Sequence, residues 1–242
     1  MDDWLKDSTE VEASWVTVDL AIFTVRGDQL MVLLIERGVE PFLGRAALPG
    51  GYVQKSETLR EGALRELWEE AGIDGGRLHL EQLGAYGDPR RDPRGRVVTI
   101  AYLALGPELP TPVGGTDAKR AYWAPVSQLT NGAGVQELAF DHSIILADAL
   151  EEIRRKLEYT AVATAFCGES FTLSELRAVY EVIWGQYLDP SNFRRKVLNT
   201  VGFVQPTGER RLPPTGRPAG LYRRGTAWLL SPPLLRGTGH PV

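Results

Sequence analysis

The sequence predicts a mixed α/β domain followed by a smaller, basic, mainly helical one. Three observations lead there. Strand-like runs are interspersed with two helical segments over the first two thirds of the chain; the pattern then becomes helix, turn, helix and hairpin; and the charge changes sign at the same place. Residues 1–159 carry 17 basic against 26 acidic side chains, a balance of −9, whereas residues 160–242 carry 10 against 5, a balance of +5. The formal net charge of −4 therefore hides two regions suited to different partners. A chain of 242 residues accommodates one full domain, 1–159, and a small one, 160–242. The hydrophobic share of 43% and charged share of 24% exclude wholesale disorder. The single cysteine, Cys167, has no partner for an internal disulfide, which points to a reducing compartment. The chain opens MDDWLKDSTE, acidic where a signal peptide is basic, and apolar runs such as Leu30 to Ile35 are too short to span a bilayer. A soluble, cytoplasmic protein without membrane partners is expected.

In order along the chain, Trp15–Val25 and Gln29–Ile35 read as strands, with Gly27-Asp28 suited to a tight hairpin between them. The Arg26-Gly27-Asp28 tripeptide fits that turn better than an adhesion motif. A loop leads to Leu48-Pro49-Gly50-Gly51, and Glu57–Ala71 reads as a helix stopped by Gly72. Strands follow at Leu78–Tyr86, Val97–Leu105 and Ala121–Val126, then a long helix from Asp141, as N-cap, to about Tyr159. Thr172 and Glu175 form a capping-box pair opening a helix with Leu173, Leu176, Val179, Tyr180 and Ile183 on one face; Gly185 ends it. Asp189-Pro190 opens the next helix, Ser191–Thr200. An extended run at Phe203–Gln205, a Pro/Gly/Arg-rich segment and a further run from Leu221 complete the order of a winged helix-turn-helix. The last dozen residues read as a loose tail.

In the helix Ser191–Thr200, Phe193, Val197 and Val201 recur at i, i+4 and i+8 and should face the core. Asn192, Arg195 and Asn199 share another face, flanked by Arg194 and Lys196; Arg and Asn are the side chains that read guanine and adenine edges. Arg210, Arg211, Arg217, Arg223 and Arg224 suit phosphates or a minor groove. Winged helices also mediate protein contacts, but this charge placement favours double-stranded DNA. The DNA-contacting set expected is Thr172, Ser191, Asn192, Arg194, Arg195, Lys196, Asn199, Arg217 and Arg223.

The most informative segment runs from Gly51 to Ile73. On a helix, Glu66, Glu69 and Glu70 project from one face, where their charges repel, and a hard divalent cation, Mg²⁺ or Mn²⁺, would resolve the conflict. Gly62, a turn earlier, would leave space for a phosphate, while Leu59, Ala63 and Leu67 form a packing stripe. A solvated acidic face is the usual reading of such a run, but the spacing of the whole segment decides otherwise. Gly51, Glu57, Arg65, Glu66, Leu67, Glu69, Glu70, Gly72 and Ile73 match the Nudix box, G-x5-E-x7-R-E-U-x-E-E-x-G-U, at every defined position. By chance this would occur on the order of 10⁻⁹ times per start site. The resemblance to Nudix proteins extends through Glu36-Arg37, Leu48–Gly51 and Leu138–His142, over roughly residues 12–158.

That resemblance implies an α/β/α sandwich around a mixed sheet and Mg²⁺- or Mn²⁺-dependent hydrolysis of a nucleoside diphosphate derivative. It implies that Glu66, Glu69 and Glu70, with the Gly50 carbonyl, are metal ligands, that Glu57 and Arg65 form an orienting pair, and that Arg37 and Gly51 border the ligand. A further carboxylate from a later loop is expected, with Glu108, Asp117 and Glu137 as candidates. Relatives that use ADP-ribose often carry an aromatic residue just before Ala-Leu-Pro-Gly-Gly, where this chain has Ala46. In Asp88–Arg96, Arg91 and Arg94 either lie in solvent on a proline-stiffened turn or meet a ligand phosphate. His142 is expected to cap or pack rather than catalyse.

The Nudix segment followed by Phe171–Leu176, Asn192–Lys196 and Gly216–Arg223 resembles the Nudix-related transcriptional regulators of NAD metabolism, the NrtR family, over nearly the whole chain. The resemblance implies a homodimeric bacterial repressor that binds a palindromic operator and senses ADP-ribose through its Nudix domain. Many members have a decayed box; this chain keeps every position, which leaves open an ADP-ribose pyrophosphatase, or both activities together.

Overall fold

The computed structural model describes residues 13–112, 118–130, 137–212 and 218–237. Its sheet is built on β1 (Trp15–Arg26), which turns at Gly27-Asp28 into β2 (Gln29–Arg37). The two-residue hairpin places Arg26 opposite Gln29, with Gly27 at φ 60°, a region in which a Cβ is disfavoured. Two short strands follow, β3 (Ala46–Ala47) and β4 (Gly50–Tyr52), then α1 (Leu59–Ala71), β5 (His79–Tyr86), β6 (Val97–Leu105) and β7 (Ala118–Pro125). β1 runs parallel to β6 from Trp15 to Phe23; the other pairings of the sheet are antiparallel. On its second side β1 pairs with β4 at Thr17–Asp19 and with β2 from Phe23 onward. The turn Leu48-Pro49-Gly50 lies where β1 changes partner, held by the Leu20 N–H donating to the Pro49 carbonyl at 2.8 Å.

Alternation along the strands sends the apolar side chains to two faces. Val18, Leu20 and Ile22 of β1 and Tyr102 and Ala104 of β6 pack under α1 through Ala63, Leu67 and Ala71. Ala21, Phe23, Ala101, Leu103 and Leu105 pack on the opposite face against α3 (His142–Tyr159) through Ile145, Ala149 and Ile153. A one-turn helix, α2 (Ser127–Thr130), follows β7. The expected α/β/α sandwich with a mixed sheet is the observed one. Among the described residues no helix is long and apolar enough to cross a membrane.

Past α3, a 3-10 segment at Ala161–Phe166 leads to α4 (Leu173–Trp184), α5 (Pro190–Asn199) and the hairpin β8 (Val204–Arg211)–β9 (Ala219–Arg224). Both halves of the α4 capping box are present, and Gly185 closes the helix at φ 66°. Leu176, Val179, Tyr180 and Ile183 of α4 and Phe193 and Val197 of α5 belong to the same continuous core as α3 and the outer sheet face. The winged helix is thus welded onto the sandwich.

Three local expectations are corrected. Val201 does not face the core but is 85% exposed, because α5 ends at Asn199 and its periodicity lapses in the turn after Thr200. Asp141 sits at the N-cap of α3 but makes no side-chain cap bond, its carboxylate being taken by Arg91. Residues 231–237 are not loose: Leu234 is buried, its N–H donates to the Glu158 carbonyl at 2.9 Å, and Arg236 reaches Glu151.

Candidate ligand pocket and nucleic-acid interface

α1 begins at Thr58, whose hydroxyl and Glu61 form a capping box, and ends at Gly72 in the left-handed region. Its face toward β4 carries the box carboxylates. Glu66 and Glu70 are buried and Glu69 is exposed. The Glu70 carboxylate accepts the Gly50 N–H at 2.8 Å. Gly51 lies against the Glu66 carboxylate, so a side chain there would require that carboxylate to move aside. Arg65 donates to both oxygens of Glu57 (3.0 and 2.7 Å), to Glu66 (2.7 Å), to Glu69 (2.9 Å) and to the Tyr52 carbonyl (3.0 Å). The Arg65 hydrogen bond holds Glu57 below the usual carboxylate range, whereas burial pushes Glu66 above it. At Gly62 a Cβ would meet Glu57 Oε1 at 3.0 Å, so the glycine lies beside the carboxylate that holds Arg65.

The donor chemistry of this face suits a hard divalent cation: two buried carboxylates and one exposed, with the Gly50-Gly51 backbone pressed against them. In the present arrangement the Arg65 guanidinium supplies the positive charge shared by Glu57, Glu66 and Glu69. Among the described residues no three acidic, histidine or cysteine side chains converge on one metal-sized point. Seating a cation requires Glu66 and Glu69 to turn toward it from Arg65.

Across β4 from α1 lies a pocket of about 120 Å³ lined by Asp19, Arg37, Leu48, Gly50, Gly51, Tyr52, Glu70, Arg91, Arg94, Phe140 and His142. It is smaller than a nucleotide, but it adjoins an open groove of about 790 Å³ bordered by Tyr86, Arg90 and Ile144, with Arg91 and Phe140 common to both. Phe140 stands between two guanidiniums, with Arg37 at 4.7 Å and Arg94 at 5.6 Å from its ring centre; Arg94 also lies 5.4 Å from the Tyr52 ring. Burial, and then the neighbouring Arg94, lower the Arg37 pKa from its ordinary value. Arg94 is pinned by Asp92 at 2.6 Å. Neither Arg91 nor Arg94 is a free solvent arginine: Arg91 is buried, forking onto Asp141 (2.9 and 2.7 Å) and reaching Asp19 (3.2 Å). His142 packs rather than caps. Its Nδ1 accepts the Leu48 N–H at 2.9 Å, its Nε2 faces Asp19 at 3.5 Å, and burial holds it neutral by lowering its pKa.

The later carboxylates divide. Glu137 pairs with Arg45 at the surface, Glu108 borders a separate cavity beside α4, and Asp117 lies outside the described residues. Ala46 is buried in the core, pairing with Leu138, and the pocket's aromatic faces come instead from Phe140 and Tyr52. The sequence reading missed Phe140, Tyr52 and Asp19 as pocket residues; an Arg-rich loop facing isolated aromatics was the signal available.

On the winged helix, α5 buries Phe193 and Val197 and exposes Ser191, Asn192, Arg194, Arg195, Lys196 and Asn199. Arg195 donates to Asn192 at 2.7 Å, and among the described residues Arg194, Arg195 and Lys196 make no ion pair. Thr172 is buried with its hydroxyl in the α4 cap. Arg223 is exposed on β9 beside Gln205, Arg211 is tied to Glu175, and Arg217 lies outside the described residues.

Comparison with known proteins agrees with this two-part organisation. Residues 7–147 match the NUDIX domain family, and residues 163–224 match the NrtR DNA-binding winged helix domain. The chain is 37% identical over 210 residues to the ADPR responsive transcriptional repressor NtrR of Acinetobacter baylyi, covering 86% of this chain and 81% of that protein. Over 119 residues, 48% of the chain and 64% of the relative, it is 41% identical to an ADP-ribose pyrophosphatase of Methanocaldococcus jannaschii. Shewanella oneidensis NrtR complexed with a 27mer DNA superposes with a TM-score of 0.72 at 34% identity, covering 86% of this chain and 93% of that one. The Nudix domain of the same protein complexed with ADP ribose superposes at 0.52, with 31% identity over 63% and 99% of the two chains. With a Nudix sandwich leading into an NrtR winged helix, this chain belongs to the NrtR family.

Proposed function

We propose that this protein is an ADP-ribose-responsive transcriptional repressor of NAD-metabolism genes, acting in the cytoplasm as a homodimer on a palindromic operator. The observation that carries this reading is the solvent face of α5, where Asn192, Arg194, Arg195, Lys196 and Asn199 stand exposed with no ion pair among the described residues. Such a helix suits a major groove, where Arg195 and Asn192 would read base edges and Arg194 and Lys196 would meet phosphates, joined by Arg223 from β9. Arg217, outside the described residues, is proposed for the same role from the sequence. Two copies supply the two half-sites. In the Nudix pocket, Arg37 and Arg94 suit the pyrophosphate of ADP-ribose, and the Phe140 and Tyr52 faces suit its flat or sugar portions. ADP-ribose releases DNA if it binds better to an arrangement in which α5 is misplaced. The deciding experiment is a DNA-shift titration on the gene's own upstream region, with and without ADP-ribose. Specific binding that ADP-ribose weakens supports the repressor; no specific DNA binding rejects it.

A second reading, ADP-ribose hydrolysis to AMP and ribose 5-phosphate, rests on the complete carboxylate face of α1. Glu66, Glu69, Glu70 and the Gly50 carbonyl would hold Mg²⁺ or Mn²⁺. Bound there, a divalent cation would supply positive charge to the pyrophosphate and lower the pKa of an attacking water. Glu57 holds Arg65, and Arg65 in turn orients Glu66 and Glu69. Glu70→Gln keeps an acceptor for the Gly50 N–H, so the fold should persist while AMP release with Mg²⁺ and ADP-ribose disappears. Equal rates in the two proteins would remove this reading.

A further inference from the structure

α3 is 18 residues long, which at 1.5 Å per residue makes a rod of about 27 Å. Its two ends are bonded to different parts of the molecule. At the N-terminal end, Asp141 is forked by the pocket residue Arg91, and His142 accepts the Leu48 N–H. At the C-terminal end, the last four carbonyls, which an isolated helix leaves without partners, are all satisfied. Lys156 O accepts from Thr160, Leu157 O from the Tyr180 hydroxyl of α4, Glu158 O from the Leu234 N–H and Tyr159 O from the Leu230 N–H. Arg154 and Trp184 add a reciprocal pair, Arg154 Nε to the Ile183 carbonyl and Trp184 Nε1 to the Arg154 carbonyl.

Residues 228–236 are central to this end. They lie beyond both matched domains, which stop at 147 and 224. The Trp228 ring lies tilted by 33° against His79 of the edge strand β5, centres 6.0 Å apart, and the Trp228 carbonyl accepts the Ala161 N–H. Leu234 and Leu235 line one groove with Trp184, Asn192 and Lys196, which brings the segment to the flank of α5. Arg236 closes the segment on Glu151 and Glu158.

We propose that α3 is the rod coupling the pocket to α5, and that residues 228–236 clasp its far end. Trp228, Leu234 and Arg236 are positioning residues, and none of them lines the pocket. A ligand phosphate that draws Arg91 from Asp141 loosens the near end of α3, and the clasp converts that shift into a displacement of α5 instead of letting a linker absorb it. This inference deepens the repressor reading and rests on it for the identity of both ligands.

The test uses the full chain carrying Leu234→Ala, which removes the buried apolar anchor of the clasp without adding charge beside Lys196, and the gentler Arg236→Ala. In wild type, ADP-ribose should weaken operator binding by about 5- to 150-fold, the usual range of coupling between sites. In Leu234→Ala that factor should collapse toward unity, with ADP-ribose affinity and ligand-free operator affinity unchanged; Arg236→Ala should fall between. A full ADP-ribose response in both variants overturns the proposal. So does loss of ligand-free operator binding, which would make the segment part of the DNA-reading surface. If wild type ignores ADP-ribose, the repressor reading fails, and calorimetry decides the clasp alone: one unfolding transition in wild type and two in Leu234→Ala support it, one in both overturns it.

Discussion

α1 and α5 are of similar length, and both display charge at close helical spacing, yet they treat that charge in opposite ways. On α1, Arg65 gathers Glu57, Glu66 and Glu69, and the Gly50 backbone meets Glu70; two of the three box carboxylates are buried. On α5, Arg194, Arg195 and Lys196 are exposed and without ion pairs among the described residues. A charge withdrawn from water must be answered locally, because its desolvation cost exceeds any diffuse attraction. A charge meant for a phosphate backbone is best left hydrated and unpaired, ready to displace counterions. The same contrast extends to arginines: Arg91 is buried between Asp19 and Asp141, whereas Arg195 touches only Asn192.

The sharpest way to break this comparison is to remove the answering partner on the buried side. Arg91→Leu takes the guanidinium from the buried Asp19 and the half-buried Asp141, and denaturant unfolding should show a loss of about 3 to 5 kcal/mol. A loss below about 1 kcal/mol, the value of a surface pair, would mean that the pocket is wetter than its burial indicates. On the exposed side the cost should move from folding to binding. Arg195→Ala should leave the melting temperature and ADP-ribose affinity unchanged and weaken operator binding by about 1 to 3 kcal/mol. Unchanged operator affinity would sink the assignment of α5.

The smallest expected effect concerns pH. His142 is neutral in the folded protein because burial lowers its pKa, while in the unfolded chain it titrates near its ordinary value of about 6.5. As pH falls through that value the unfolded state gains a proton that the folded state refuses. Stability is therefore full above about pH 6.5 and declines below it by up to about 1.4 kcal/mol per pH unit. His142→Asn, which keeps an acceptor for the Leu48 N–H, should flatten that part of the stability–pH curve. An identical slope in the two proteins would assign it to the carboxylates instead.

Some of this was written in short stretches of sequence. The spacing of Glu66, Glu69 and Glu70 already placed three carboxylates on one helix face, and Thr172 with Glu175 announced the start of α4. The exposed face of α5 followed from Phe193 and Val197 alone. These features depend on neighbours three or four residues apart, which the helical repeat fixes whatever the rest of the chain does. The same reasoning failed at Val201, one step past the helix end, where the repeat no longer holds.

The pocket and the clasp had no such local signature. Arg91 meets Asp141 across 50 residues and Asp19 across 72, and Arg236 meets Glu151 across 85. Phe140 came to rest between Arg37 and Arg94 only because β2, the Arg-rich loop and the approach to α3 converge on one edge of the sheet. The sequence by itself therefore determined which residue types each helix presents: carboxylates on α1, exposed cations and amides on α5. Tertiary structure alone decided which arginine is buried, what answers it, and that residues 231–237, expected to hang free, pack onto the end of α3. Periodicity encodes a face, but a contact between distant residues exists only once whole elements have packed.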